Sequence, residues 1–444
     1  MRESAAAFGL PGAWREVGEG SLPSAFAVSD LAAASFGVVG EAVLALGAAL
    51  GAGKAAVTVD RRRAALWFSP SITPEGWALP PVWDELAGDY RTADGWIKLH
   101  TNAPHHRAAA LRALDARPTR DAVAGAVASW RATDLEAAVL AEGGVAAEMR
   151  SLADWAAHPQ GAAVAAEPLV AWDAPRPGRI RDWGGRPERP LHGLRVLDLT
   201  RILAGPVATR TLAGFGAEVL RIDPPDWEEP SLAPDVTLGK RCARLDLKSP
   251  AGQARFAELL AGADVLVHGY RPDALDRLGL GDGWRASAAP GLIEVSLDAY
   301  GWTGPWAARR GFDSLVQMSA GIAHAGMVRA GADRPTPLPV QALDHATGYL
   351  MAAAVLASLR DAVSNRGLRN ARLSLARTAV LLAGFRDPGR APLAPVRAAD
   401  DAGGVEQTPW GPARRLRPAL DVTGVPMWWE RPASTLGSAA PCWG

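Results

Sequence analysis

The sequence predicts an α/β protein with a doubly wound, Rossmann-like parallel sheet domain and a smaller α+β domain. Its 444 residues, at roughly 150 residues per domain, correspond to two or three compact units. Apolar residues make up 48% and charged residues 21%, which is ordinary globular composition. Short apolar runs alternate with helical segments in the second half of the chain, and this alternation is typical of a parallel sheet.

The second half supplies the predicted sheet. Runs of strand length occur at 195–199, 217–222, 265–267 and 292–296. Helical segments lie between them, for example at 252–260, and another helix opens at 207–213. The expected organisation is a small domain at 1–172, a linker at 173–190, the Rossmann-like head at 191–385 and a C-terminal tail at 386–444.

The first half is a mixed module without a Rossmann-type start. A strand is expected at 57–60, and a turn at Asp94-Gly95 leads into another. Segments 106–114, 120–131 and 134–140 are predicted helices. The linker that follows is rich in Pro, Gly and Arg and has no apolar periodicity.

A sequence pattern in the first half of the chain recurs in the second half at an offset of 314 residues. Asp30 begins an Ala-rich helix, and VTVDRRRAALWF starts 27 residues later. Asp344 begins another such helix, and ARLSLARTAVLL follows at the same distance. Two copies are too few for a solenoid, so the pattern predicts a duplication.

Composition excludes several functional classes. Lys+Arg 47 against Asp+Glu 47 leaves no net charge, so neither nucleic acid nor an anionic membrane is an expected partner. Two cysteines, without a CxxC or Cys/His cluster, favour a reducing, cytoplasmic location and give no metal site. The apolar stretch 31–57 contains Glu41 and recurrent Gly, which indicates a buried helix rather than a membrane span.

A dinucleotide site at the start of the sheet is not predicted. The loop after the first strand is Ala204-Gly205-Pro206, so the GxGxxG fingerprint is missing. No Ser or Cys lies in a recognisable nucleophile elbow, and a carboxylate is the available nucleophile. On local sequence alone, an Asp that opens a helix, such as Asp344, is also a common N-cap.

Six sequence blocks follow one another between 191 and 382: LHGLRVLDLTRILAGPVATRTLAGFGAEVLRID, GKRCARLDLKSPAG, ADVLVHGYRPDALDRLGL, SLDAYGWTGPW, RGFDSLVQMSAG and the block at Asp344. In this order they resemble the front half of a family III CoA-transferase, the family of formyl-CoA and carnitine CoA-transferases and α-methylacyl-CoA racemases. Residues 22–165 resemble the back half of the same family, and RLRPALDVTGVPMWWERPASTLG resembles its C-terminal segment. The order is therefore that of a rearranged or trimmed duplication, in which the first 170 residues supply the small domain.

The resemblance implies an acyl-CoA:carboxylate CoA-transferase that works through an aspartyl-CoA thioester. Asp344 matches the family nucleophile, and the trailing Thr347-Gly348 is retained. Asp30 matches as well, but Ala33-Ala34 stand in its block, so Asp344 is preferred. CoA enters as a substrate moiety, no cofactor is expected to be bound permanently, and family members form homodimers.

Carried over by position, the residues implied to bind CoA are Arg201, the turn from Leu245 to Lys248, Gly269, Tyr270, Arg277 and Arg310. Gly269 replaces the family's common Asn, and no glycine-rich covering loop is evident. The racemase branch has a His where this chain has Phe312, before Asp313, and Phe cannot transfer a proton. The alternative to a transferase is a catalytically impaired CoA-binding subunit of a full-length relative. The sequence does not indicate which acyl group or acid is used.

Overall fold

The structure is a computed structural model that describes residues 2–271, 273–385 and 389–444. The first residues of the predicted tail, 386–388, lie outside the described residues.

The first 172 residues form one long helix together with short strands and shorter helices. The strands are β1 (Arg15–Val17), β2 (Val57–Asp60), β3 (Ile72–Pro74), β4 (Gly88–Arg91), β5 (Trp96–Leu99), β6 (Ala146–Glu148) and β7 (Ala171–Trp172). The helices are α1 (Arg2–Ala6), α2 (Val28–Ala49), α3 (Arg61–Leu66), α4 (Pro104–Leu114), α5 (Arg120–Val127), α6 (Ala132–Ala141), α7 (Leu152–Ala157) and α8 (Pro159–Ala166).

The rest of the chain alternates strands and helices and ends in a hairpin and a short strand. The strands are β8 (Arg195–Leu199), β9 (Glu218–Asp223), β10 (Lys240–Arg244), β11 (Val265–His268), β12 (Ile293–Asp298), β13 (Ala371–Ser374), β14 (Asp401–Thr408), β15 (Gly411–Leu416) and β16 (Leu420–Val422). The helices are α9 (Ala204–Gly214), α10 (Ala233–Val236), α11 (Pro250–Ala261), α12 (Asp282–Ala288), α13 (Asp313–Ser319), α14 (Ile322–Ala330), α15 (Ala342–Val363) and α16 (Leu375–Gly384).

The main sheet has the strand order β10-β9-β8-β11-β12-β13-β7. The first six strands run parallel, and β7 is antiparallel to β13. Numbered along the chain from β8, the parallel strands have the order 3-2-1-4-5-6 of the Rossmann fold. The predicted α/β class is confirmed, and the order reverses between β8 and β11, where such sheets bind ligands.

The smaller α+β part consists of an antiparallel sheet, β4-β5-β6, covered by α4, α5 and α6. Its own apolar core includes Ile97, Val127 and Leu135. Elsewhere the two ends of the chain share sheets, since β2 pairs with β16 and β3 pairs with β15. The exact domain limits given by the sequence stay predictions.

The repeated sequence pattern corresponds to a repeated structural unit. Adding 314 to the limits of α2, Val28–Ala49, gives those of α15, Ala342–Val363. The same offset takes β2, Val57–Asp60, to β13, Ala371–Ser374, and each strand leads directly into a helix. The helices α2 and α15 pack against each other in the common core.

These two core helices are also long and apolar enough to cross a membrane, judged by length and composition. In the folded chain, 83% of the most apolar window of α2 and 100% of that of α15 is buried inside the protein. Burial of a small-residue helix is what the sequence predicts for the first of them.

A glycine allows α15 to approach the start of α9. A Cβ built on Gly348 would lie 2.3 Å from the carbonyl oxygen of Ala204 and 2.9 Å from Val207 Cβ. We expect Gly348→Ala to lower the free energy of unfolding by about 1–3 kcal/mol, because the two helices must separate. Urea unfolding monitored by circular dichroism measures this change.

Gly125, exposed within α5, is the matched control, since no atom lies within 4 Å of a Cβ placed there. Gly125→Ala should stabilise the protein by about 0.4–1 kcal/mol. Equal effects of the two substitutions would contradict the close approach of α15 and α9.

Candidate active site

The carboxyl edge of the parallel sheet gathers most of the residues that the sequence implies for CoA. Arg201 follows β8, Leu245 follows β10, and Gly269 follows β11. Parallel strands end at the same edge, so these positions lie along one side of the sheet. Lys248 is exposed just before α11. Gly269 has no positive φ, and a Cβ there would meet Leu297 at an ordinary 3.6 Å, so its backbone does not require glycine.

Arg201 and Tyr270 contact each other directly at the reversal of strand order. Arg201 Nη2 donates to the Tyr270 hydroxyl at 2.8 Å. The guanidinium carbon lies 5.3 Å from the centre of the Tyr270 ring and 5.0 Å from that of Trp227. This aromatic setting holds the planar cation in one orientation.

A second pair of the implied residues, Arg277 and Arg310, lies within one cluster of positive charge. Burial lowers the pKa of Arg310, and the nearby cations Arg271 and Arg277 lower it further. Arg310 Nη1 donates to the Gly143 carbonyl at 3.1 Å, and Arg277 pairs with Asp273. Like charges held this close favour an anionic ligand.

Asp344 lies in the first turn of α15, and the residue is only 8% exposed. It lies near both arginine-bearing segments. Gly348, one turn later, abuts Ala204, which follows Arg201 by three residues. Asp313, three residues after Arg310, accepts the backbone N–H of Asp344 at 2.9 Å.

The carboxylate of Asp313 caps α15 from another element of the fold. Its Oδ2 accepts the N–H groups of Leu343, at 2.8 Å, and of Asp344. Its Oδ1 accepts a hydrogen bond from Gln317 Nε2, and Gln317 Oε1 accepts the Leu338 N–H at 2.7 Å. The chain of bonds fixes the helix start and brings a second carboxylate to Asp344.

Both carboxyl groups are hard to ionise. Burial, and then the negative charge of Asp313, raises the pKa of Asp344 well above its ordinary value. Burial raises the pKa of Asp313 to about 6, although its hydrogen bonds with Gln317, Asp344 and Leu343 oppose the shift. No Lys or Arg of the described residues forms an ion pair with Asp344. Shifted carboxyl pKa values are enriched at functional sites, and buried structural carboxyl groups such as Asp298 show them too.

Asp30, the counterpart of Asp344 in the repeat, has the opposite environment. Arg61, fully buried, donates to both of its carboxylate oxygens at 2.8 Å. The residue at position 61 plus 314 is Leu375, which carries no charge. A side chain locked by a buried cation is a structural group, so the geometry separates the two aspartates.

The smaller α+β part and the segment that follows it contact the part of the chain that carries Asp313. The His100 ring stacks on Phe312, with centroids 4.1 Å apart, and Ser314 Oγ lies 3.5 Å from His100 Nδ1. The Arg150 N–H donates to the Met318 carbonyl of α13 at 3.1 Å. Burial lowers the pKa of His100 to about 3, so its imidazole is neutral.

Sequence reasoning did not predict three contacts that border the site: the cap formed by the Asp313 carboxylate, the stacking of His100 on Phe312, and the bond of Glu229 to the loop after Arg201. These contacts join segments far apart in the chain, and no local pattern reports them. Among the described residues, no group of three His, Cys, Asp or Glu side chains could hold a metal ion.

Comparison with known proteins gives the family of this part of the chain. Residues 191–394 match CoA-transferase family III. The probable fatty acyl-CoA transferase Rv3272 of Mycobacterium tuberculosis is 35% identical over 187 residues, 39% of this chain and 47% of that protein. Mouse succinyl-CoA:glutarate CoA-transferase is 35% identical over 196 residues, 40% of this chain and 44% of that protein. A crystal structure of Rv3272 covers 44% of this chain and 56% of its own, with 34% identity and a TM-score of 0.41.

Residues 191–394 therefore match the model of CoA-transferase family III, the family that their sequence blocks resemble. The chain spans about half the length of the curated relatives that it matches. The resemblance of residues 22–165 to the back half of the family, and each implied site residue, stay predictions.

The raised pKa of Asp344 leads to a test of stability against pH. The folded state retains this proton to higher pH than the unfolded state, so stability is lost as pH rises from about 4 through the folded pKa. Asp344→Asn removes that loss. We expect the variant to melt at a higher temperature than wild type near pH 8, and the difference to vanish near pH 4.

Asp30→Asn is the matched variant at the repeated position. Among the described residues it leaves Glu16, at 3.2 Å, as the one carboxylate partner of the buried Arg61, and it should destabilise the protein by about 3 kcal/mol. Calorimetric scans across pH compare the two variants. Effects of the same sign near pH 8 would contradict the different environments of Asp30 and Asp344.

Proposed function

We propose that the protein is a CoA-transferase that moves CoA between an acyl-CoA and a carboxylic acid through a thioester on Asp344. One observation carries the proposal: a buried carboxylate, which forms no ion pair within the described part of the chain, lies near two segments that carry arginines, one of which follows the first strand of the Rossmann-like sheet. The family match and the relatives' names support the reaction class.

In the first half-reaction, Asp344 attacks the thioester carbonyl, which gives a mixed anhydride and CoA thiolate. The thiolate then attacks the Asp344 carbonyl of the anhydride, forming the aspartyl-CoA thioester and releasing the first acid. The acceptor carboxylate attacks this thioester and expels the thiolate, which gives a second mixed anhydride between Asp344 and the acceptor. Attack of the thiolate on the acceptor's own carbonyl gives the new acyl-CoA and restores Asp344.

The surroundings of Asp344 supply what such a weak nucleophile needs. A carboxylate with little contact with water lacks the hydration shell that lowers its nucleophilicity in solution. The Asp313 charge raises the energy of ionised Asp344 further, and forming an anhydride or thioester neutralises that charge. The covalent intermediates are thereby favoured over the free ionised acid.

The implied CoA-binding residues complete the proposal. Arg201, Lys248, Arg277 and Arg310 would meet the phosphates, and Tyr270 would flank the adenine. The proposal includes a homodimer, which rests on the family resemblance, and a cytoplasmic location, which rests on composition. CoA is a substrate here, and no permanently bound cofactor is invoked.

A covalent adduct tests the proposal most directly. Incubation with a panel of acyl-CoAs, hydroxylamine trapping and peptide mass spectrometry should place a CoA-derived adduct on Asp344. Asp344→Asn should lower the CoA exchange rate at least about a thousandfold, because the nucleophile is lost. The panel would also name the donor.

The double variant D30N/R61L, which gives the first copy the neutral residue of the second, is the control and should retain exchange in its folded fraction. An adduct on Asp30 would instead move the nucleophile to the first copy. A wild-type protein that binds CoA but forms no adduct would contradict the transferase and support the non-catalytic subunit.

The pH dependence of exchange tests the coupling of the two carboxyl groups. Asp344 must be ionised to attack, so kcat/KM should rise with pH through its raised pKa. Asp313→Asn removes the neighbouring charge and should move this acid limb to lower pH, while the amide oxygen can still cap α15. Rate profiles over about pH 5–9 measure the limb.

Asp421→Asn, at the exposed residue of β16, is the control for this profile and should leave its acid limb in place. An unmoved limb in Asp313→Asn would show that the Asp313 charge does not govern the ionisation of Asp344.

A further inference from the structure

The loop between β8 and α9 contains a backbone conformation that needs support. Ile202, a β-branched residue, has φ +67°, in the left-handed region that such side chains rarely adopt. Its N–H donates to Glu229 Oε1 at 2.6 Å. Strained positions persist only where surrounding groups hold them, and they cluster at functional sites.

Both carboxylate oxygens of Glu229 accept hydrogen bonds. Its Oε1 also accepts the indole N–H of Trp227 at 2.8 Å, and its Oε2 accepts Arg221 Nη2 at 2.8 Å. Arg221 is fully buried and donates to both oxygens of Asp223 at 2.9 Å. The Glu229 carboxylate is therefore a buried anion with a matched cation and three strong hydrogen bonds.

These bonds converge on Arg201 from two directions. Ile202, the next residue in the chain, fixes the backbone beside Arg201. Trp227 is the ring 5.0 Å from the Arg201 guanidinium, and Tyr270 completes the contact through its hydroxyl. One carboxylate thus sets both the course of the loop and the aromatic surface against which the cation lies.

The geometry points to Glu229 as a positioning residue that orients Arg201 toward a CoA phosphate through Ile202 and Trp227. This inference rests on the proposed function, because Arg201 serves CoA only if this edge of the sheet binds it. Glu229 lies in the segment between β9 and α10 and touches no substrate itself.

A double-mutant cycle with Arg201 tests the inference. Glu229→Gln keeps the shape of the side chain, but one carboxylate oxygen becomes an NH2 group, which cannot accept a hydrogen bond. The bonds to the Ile202 and Trp227 donors, or the bond to Arg221, are therefore lost. We expect the Kd for free CoA, measured by titration calorimetry, to rise about tenfold or more. The KM for acyl-CoA should rise in parallel while kcat changes little. In an Arg201→Ala background, Glu229→Gln should add no further loss.

Glu228→Gln is the control. That side chain is 67% exposed and pairs with Arg244 at the surface, so CoA binding should be unchanged. If Glu229→Gln does not fold, Trp227→Phe removes the indole donor and keeps a ring beside Arg201. Its smaller rise in Kd should likewise disappear in the Arg201→Ala background.

Two results would overturn the inference and are separable. Wild-type protein that binds no CoA removes the proposed function, and the role of Glu229 falls with it. The positioning role alone is refuted if the wild type binds CoA but Glu229→Gln weakens binding equally with and without Arg201. It is also refuted if neither Glu229→Gln nor Trp227→Phe weakens CoA binding.

Discussion

The capping of α15 by the Asp313 carboxylate is the interaction on which the site depends. It uses the N–H groups of Leu343 and Asp344, so the positive end of the helix is satisfied by a neighbour rather than by Asp344. Asp344 is then left buried beside a like charge. In a typical capped helix the charge of the capping acid is offset by the helix end, whereas here the charge of the cap also raises the pKa of its neighbour Asp344.

The repeated unit shows how one residue changes the chemistry of an otherwise similar element. Both copies have a 22-residue helix with an Asp in its first turn, followed by a strand of four residues. In the first copy Arg61 neutralises Asp30, and in the second the equivalent residue is Leu375. Removing a buried partner from such an ion pair is costly, so the first copy is held in its structural role.

The sequence predicted those parts of the fold that have a local signature. Strands β8, β9, β11 and β12 were expected, since each is an apolar run. The run KRCAR of β10 was not expected, because Lys240 is charged. Its ammonium lies buried 3.0 Å from Asp198 Oδ2, a partner 42 residues away. The candidate site also combines residues that the sequence predicts with residues that it does not. The sequence blocks predict Asp344 and the arginines, whereas Asp313, His100 and Glu229 act through contacts that only the folded chain forms.

Strain and unfavourable charge are concentrated at one edge of the sheet, where the left-handed Ile202 and the buried Asp344 lie on neighbouring segments. Each would relax in a pliable structure. Their surroundings do not yield, because Asp198 accepts from Thr200, Thr209 and Lys240, and so joins β8, α9 and β10. The helices α2 and α15 add a tightly packed apolar core behind them. The Asp198 network and this core thus hold the loop that contains Ile202 and the helix that carries Asp344 in place.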